Sequence, residues 1–115
     1  RIAINKARET LVYDPYWSFI DACETVNLFF SEDFDAAAHQ ADRVLLHRST
    51  FTNILKIKFL SLCAVGDTQK AMRTQDELLK LEPKFGWKNF FATYPFAKKE
   101  FSEYIQSKVP IELIS

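Results

Sequence analysis

An all-α fold is predicted for this chain of 115 residues, and three observations predict it. Apolar residues return at three- and four-residue steps through most of the chain, the spacing that places them on one side of a helix. Two glycines and four prolines are too few for a fold built on many tight turns. Like residues also recur at an interval of 34: Ala3, Ala37 and Ala71; Leu11, Leu45 and Leu79; Leu28 and Leu62; Asp33 and Asp67; Trp17, Phe51 and Phe85. Pro15, Ser49 and Pro83 fall on the same interval. A fixed internal period of this size marks stacked supersecondary units, and here each unit reads as two helices.

The elements follow in order. Residues 1–15 read as the second helix of a truncated unit. Pro15 can start the next helix, because its missing N–H is not needed in a first turn. Phe19, Ile20, Cys23, Val26, Asn27 and Phe30 then form a stripe, which "SEDFD" breaks, with Ser31 or Asp33 as the cap. The partner helix, "FDAAAHQADRVLLH", carries Ala37, Ala41, Val44 and Leu45 on one face. Ser49 or Thr50 is expected to cap a third helix, "FTNILKIKFLSLCAV", striped by Ile54, Leu55, Phe59, Leu62 and Cys63. Gly66 supplies a left-handed end, and Asp67 caps a fourth helix bearing Ala71, Thr74, Leu78, Leu79 and Leu81. Full units therefore span residues 16–49 and 50–83, and the repeat region runs over 1–85.

Residues 86–115 depart from the period. "FGWKNFFATYP" holds Trp87, Phe90, Phe91 and Tyr94 at helical steps and predicts a short helix. Pro95 is expected to open a longer one, "PFAKKEFSEYIQSK", with Phe96, Ala97, Phe101, Tyr104 and Ile105 as its apolar face. A solenoid needs its terminal unit covered, so this helix is read as a cap burying Phe96, Phe101 and Tyr104 against Leu78 and Leu81. The alternative is an arm that docks on another subunit. "VPIELIS" is expected to be a trailing strand or a disordered end.

These features resemble the tetratricopeptide repeat (TPR), a helix–turn–helix unit that stacks into an α-α superhelix. The small residue near the start of the family's second helix is matched by Ala3, Ala37 and Ala71, its closing proline by Pro15 and Pro83, and its Gly-Asp turn by Gly66–Asp67. Thr25 and Phe59 replace the small residue of the first helix, Ser49 replaces one closing proline, and Val44 or Leu78 stands late in the second helix. The resemblance therefore implies degenerate repeats. The ending, "LEPKF", "FFATYPF" and "KVPIELI", is similar to C-termini of bacterial multidomain regulators in which such repeats follow a class III cyclase or a winged-helix domain.

Composition narrows the function. Apolar residues at 48% and charged residues at 26% suit one globular unit with a real core. Fifteen basic and fifteen acidic residues cancel, which argues against direct nucleic-acid binding. No apolar run approaches the roughly 18 residues of a membrane span, and a cytoplasmic location is expected. Cys23 and Cys63 lack ligand or disulfide spacing and read as small buried hydrophobes. His39 and His47 share a helix without further ligands at metal spacing, and both read as surface or half-buried residues. Asp21, Glu32, Asp33 and Asp35 read as residues near helix starts, and Lys56 and Lys58 as a solvated helix face. No catalytic residue, cofactor site or metal site is predicted.

Binding is the expectation that remains. The resemblance implies that first helices line a concave surface, here Phe19, Ala22, Val26, Phe29 and Phe30, followed by Asn53, Lys56, Leu60, Cys63 and Ala64. Ala22 and Val26 stand where the chaperone-binding subfamily carries its lysine/asparagine clamp, so that mode is not implied. A surface this apolar either takes an apolar or amphipathic segment or is covered by the chain's own C-terminal helix and tail. The expected partners are a protein or peptide, other domains of a parent chain that extends beyond Arg1, or a second copy in a homodimer. The expected role is a regulatory interaction module of a bacterial signalling protein, the alternative being a stand-alone adaptor.

Overall fold

The computed structural model describes residues 15–114, and every regular element among them is a helix. The order is α1 (Pro15–Phe30), α2 (Phe34–His47), α3 (Thr52–Val65), α4 (Thr68–Leu81), α5 (Trp87–Thr93), α6 (Lys99–Lys108) and a closing 3-10 turn (Ile111–Leu113). The helix expected over 1–15, with Ala3 and Leu11, lies outside the described residues except for Pro15, which opens α1; so does the Trp17 side chain.

Helices α1 to α4 pack each on the next, α1 also meets α3, and α6 returns to lie on α3. The middle position of α3 follows from its sequence. Ile54, Leu55, Ile57, Phe59, Leu60, Ser61, Leu62 and Cys63 are all buried, and a helix apolar on every side needs neighbours on every side. Helices α2 and α4 are one-sided. Ala37, Ala41 and Val44, and likewise Ala71 and Leu78, face inward, while Asp42, Arg43, Arg73 and Glu77 face out.

The turns between helices agree with the sequence in part. Gly66 closes α3 in the left-handed conformation (φ 86°), its N–H donating to the Cys63 carbonyl at 3.1 Å. The Asp67 carboxylate accepts from the Lys70 N–H at 3.2 Å and caps α4. At the α1–α2 turn a non-glycine residue, Glu32, takes the left-handed conformation (φ 63°). Its N–H donates to the Phe29 carbonyl at 3.1 Å, and the Asp33 N–H donates to the Leu28 carbonyl at 2.9 Å. Asp33 occupies the N-cap of α2 with no side-chain capping bond.

Three expectations are corrected. The N-cap of α3 is Phe51, not Ser49 or Thr50. The Phe51 carbonyl accepts from Ile54 and Leu55, both at 3.1 Å, and the Arg48 guanidinium lies 4.9 Å from the centre of its ring. Helix α6 begins at Lys99, not at Pro95. A residue before proline is pushed out of the helical region, and Tyr94 is extended (ψ 130°), as is Lys98 (ψ 124°). The tail forms a 3-10 turn rather than a strand.

Ala37 and Ala71 have no exposed surface. Ala71→Leu should overpack the α3–α4 crossing and cost about 1–3 kcal/mol, read as a lowered urea midpoint; an unchanged midpoint would refute the close crossing. Glu32→Gly should stabilise the chain by about 1 kcal/mol, because a Cβ at a left-handed position is crowded by the carbonyl that follows. A melting temperature equal to the parent's would count against strain at that turn.

Candidate functional site

The surface expected to receive a partner is partly filled by the chain itself. Phe101 of α6 sits 5.3 Å, ring centre to ring centre, from both Phe29 and Phe30, and 6.3 Å from Phe34. Tyr104 stacks on Phe34 at 6.2 Å. Ile105 and Val109 are buried in the same cluster as Leu60. The C-terminal helix folds back onto part of that apolar surface.

The anchorage differs from the one expected. Helix α6 lies on α3, and its Phe101 and Tyr104 rest on rings from α1 and α2. Leu81 is 41% exposed, whereas Leu78 shares its cluster with Trp87 and with Ile105 of α6. Trp87 explains the difference. Its indole stacks on Phe59 at 4.7 Å, and its Nε1–H donates to the Gln75 Oε1 at 2.7 Å, with both side chains buried. The end of α4 is therefore closed by α5, and α6 is left to travel on to α1. Between them runs a continuous line of rings: Trp87 to Phe90 (5.1 Å), Phe90 to Phe96 (6.3 Å) and Phe96 to Phe30 (6.2 Å).

The residues predicted to line the partner surface divide accordingly. Phe19 is 64% exposed, Phe30 37%, and Asn53 is exposed; Val26, Lys56 and Ala64 are half-buried. Ala22, Phe29, Leu60 and Cys63 are buried and serve the core. Lys56 is no solvated residue. Its ammonium lies 3.4 Å from Glu82 and 4.8 Å from the centre of the Phe85 ring, at one wall of an open groove of about 800 Å³. A hydrogen bond from Thr52, then the charge of Lys56, hold the Glu82 carboxyl below its ordinary value. Lys58 pairs with Asp42 at 2.7 Å on the opposite side, an exposed arrangement that contributes little.

A second cleft, about 430 Å³, opens between the α1–α2 turn and the start of α6. Phe30, Phe101 and Tyr104 form its apolar part, with Glu32, Lys98 and Glu100 around it. Sequence reading missed Glu32 as anything but a residue near a helix start. It also missed two buried polar ties. Asp21, placed near a helix start, is buried in α1 and accepts from the Gln40 amide of α2 at 3.0 Å; Gln75 holds Trp87 in the same way. Each shares its buried face with a threonine, Thr25 and Thr74, a signal weak without the fold.

His39 and His47 are both exposed. Cys23 is exposed, contrary to expectation, while Cys63 is buried and its thiol is pushed up to about 12 by burial. Among the described residues no helix is long and apolar enough to cross a membrane, and no group of three His, Cys, Asp or Glu side chains is placed to hold a metal ion. No family model, curated protein or solved structure matches the chain.

Gln75→Leu should leave the buried Trp87 N–H without an acceptor and cost about 1–3 kcal/mol in chemical unfolding; an unaltered stability would show that this bond holds nothing. The Cys63 thiol ionises more readily unfolded than folded, so its burial contributes stability that is fully present below its ordinary pKa of 9.0 and is lost as pH rises toward 12. At pH 8 a thiol reagent should modify Cys23 rapidly and Cys63 only with global unfolding. Equal rates at both would disprove the burial of Cys63.

Proposed function

We propose that this chain is a non-catalytic protein–protein interaction and regulatory module built from degenerate tetratricopeptide units. One observation carries the reading. The hydrogen bonds that close the helix junctions fall in pairs offset by the 34-residue interval. Glu32 to Phe29 and Gly66 to Cys63 are both 3.1 Å; Asp33 to Leu28 and Asp67 to Leu62 are both 2.9 Å. At the far ends, Arg48 to Val44 (2.9 Å) pairs with Glu82 to Leu78 (2.8 Å), and Phe51 to Arg48 (3.1 Å) with Phe85 to Glu82 (3.0 Å). The buried positions of α2 at Ala37, Gln40, Ala41 and Val44 map by the same offset onto Ala71, Thr74, Gln75 and Leu78 of α4. Repeats of this kind work by presenting surface along a stack.

The parent is a bacterial cytoplasmic signalling protein, a cyclase or transcriptional regulator, with this module at its C-terminal end. The similarity of "LEPKF", "FFATYPF" and "KVPIELI" to such endings supports this part. Its partners are a protein or peptide, other domains of the same chain, or a second copy; neither nucleic acid nor membrane is contacted directly. The stand-alone adaptor reading draws on one observation: α6 is itself an amphipathic helix seated on Phe29, Phe30 and Phe34, as an amphipathic partner segment would be.

Reading the gene upstream of the Arg1 codon separates the two, since a cyclase or winged-helix domain there supports the first. The interaction surface itself is tested by proximity labelling of the full protein in its own cells. Phe19→Glu, at a side chain 64% exposed, should remove a discrete set of neighbours while the purified chain melts as before. Unchanged neighbours would rule this surface out.

A further inference from the structure

We infer that the cleft between the α1–α2 turn and the start of α6 binds a cationic side chain, arginine or lysine, presented by a partner segment. The cleft, about 430 Å³, combines three aromatic rings, Phe30, Phe101 and Tyr104, with two carboxylates, Glu32 and Glu100. Phe30 and Tyr104 keep 37% and 42% of their surface exposed, so the aromatic part is reachable. The negative face of an aromatic ring attracts a cation, most strongly where water is partly excluded. The molecule already uses this chemistry beside the cleft, where the Lys108 ammonium lies 5.4 Å from the centre of the Tyr104 ring.

The charges around the rim select the sign of the ligand. Lys98 lines the cleft with Glu32 and Glu100, Lys108 stands over the Tyr104 ring at its edge, and neither carboxylate joins any ion pair found among the described residues. An anion would meet two carboxylates over rings that repel it. A neutral apolar group would gain the rings and leave the carboxylates unused. A guanidinium or ammonium on an aliphatic stem uses both, with the stem along the rings and the charge at the rim. Glu32 fits the same account, since a carboxylate stands at the left-handed position (φ 63°) where the corresponding turn of the next helix pair has Gly66 (φ 86°).

That the cation belongs to a partner rests on the interaction-module reading; that the cleft takes a cation does not. The test titrates the whole chain, followed by nuclear magnetic resonance, with Nα-acetylarginine amide, and in parallel with the norleucine and glutamate analogues. The arginine compound should move the ring signals of Phe30, Phe101 and Tyr104 saturably, about tenfold more tightly than the norleucine compound, and the glutamate compound should not bind. E32Q with E100Q should erase that preference, and E112Q, outside the cleft, should leave it intact. Equal binding of arginine and norleucine, or arginine binding unaffected by E32Q with E100Q, overturns the proposal. If arginine binds as expected yet the double variant keeps every cellular neighbour of the full protein, the cation site stands and its assignment to a partner falls.

Discussion

Helix α3 is the constraint from which the rest of the architecture follows. Eight of its fourteen residues are buried, and they point in all directions around the axis, so two flanking helices cannot cover it. Helices α2 and α4 take two sides, α1 meets a third, and α6 closes the remainder. Each large apolar side chain buried in this way contributes about 1.5–3 kcal/mol, and Ile54, Leu55, Phe59 and Leu60 are each at most 1% exposed. The outer helices need only one apolar face apiece, which is why α2 sets Ala37, Ala41 and Val44, and α4 sets Ala71 and Leu78, against exposed charges.

The C-terminal segment answers the demand that α3 leaves open, and it does so through aromatic rings rather than through a further repeat. Trp87 is the pivot. Its stack on Phe59 and its bond to Gln75 fix α5 against both helices of the last pair. From there the chain turns through Tyr94 to Lys98, the Phe96 N–H donating to the Tyr94 carbonyl at 2.9 Å, and brings Phe96 and Phe101 to Phe30.

Self-coverage changes what is left to meet a partner. Phe29 and Leu60, at the centre of the expected concave face, are now core, while Phe19 and Phe30 remain at its edge. The accessible apolar surface is therefore split, and its richest remaining part lies beside the carboxylates of the α1–α2 turn and the α6 start. Aromatic rings and charged side chains thus stand together on what remains of that face. Buried polar ties between neighbouring helices, Asp21 with Gln40 and Gln75 with Trp87, fix the register on which that geometry depends.

The sequence by itself determined the helices and their ends wherever the controlling physics is local. The three- and four-residue stripes located α1 to α5, Gly66 and Asp67 marked the α3–α4 turn, and the spacing of Ala37 and Ala71 marked the close crossings, because periodicity, capping and backbone conformation act within a few residues. Tertiary structure decided everything that depends on which apolar surface wins a shared neighbour. Phe29 against Phe30, Cys23 against Cys63, and Leu78 against Leu81 are pairs alike in type, and only packing sorts one inside and the other out. The seating of Phe101 on rings of α1 belongs to the same class, with Trp87 occupying the place beside Gln75 of α4. The cleft with Glu32 and Glu100 exists only because residues 68 positions apart were brought together by that seating.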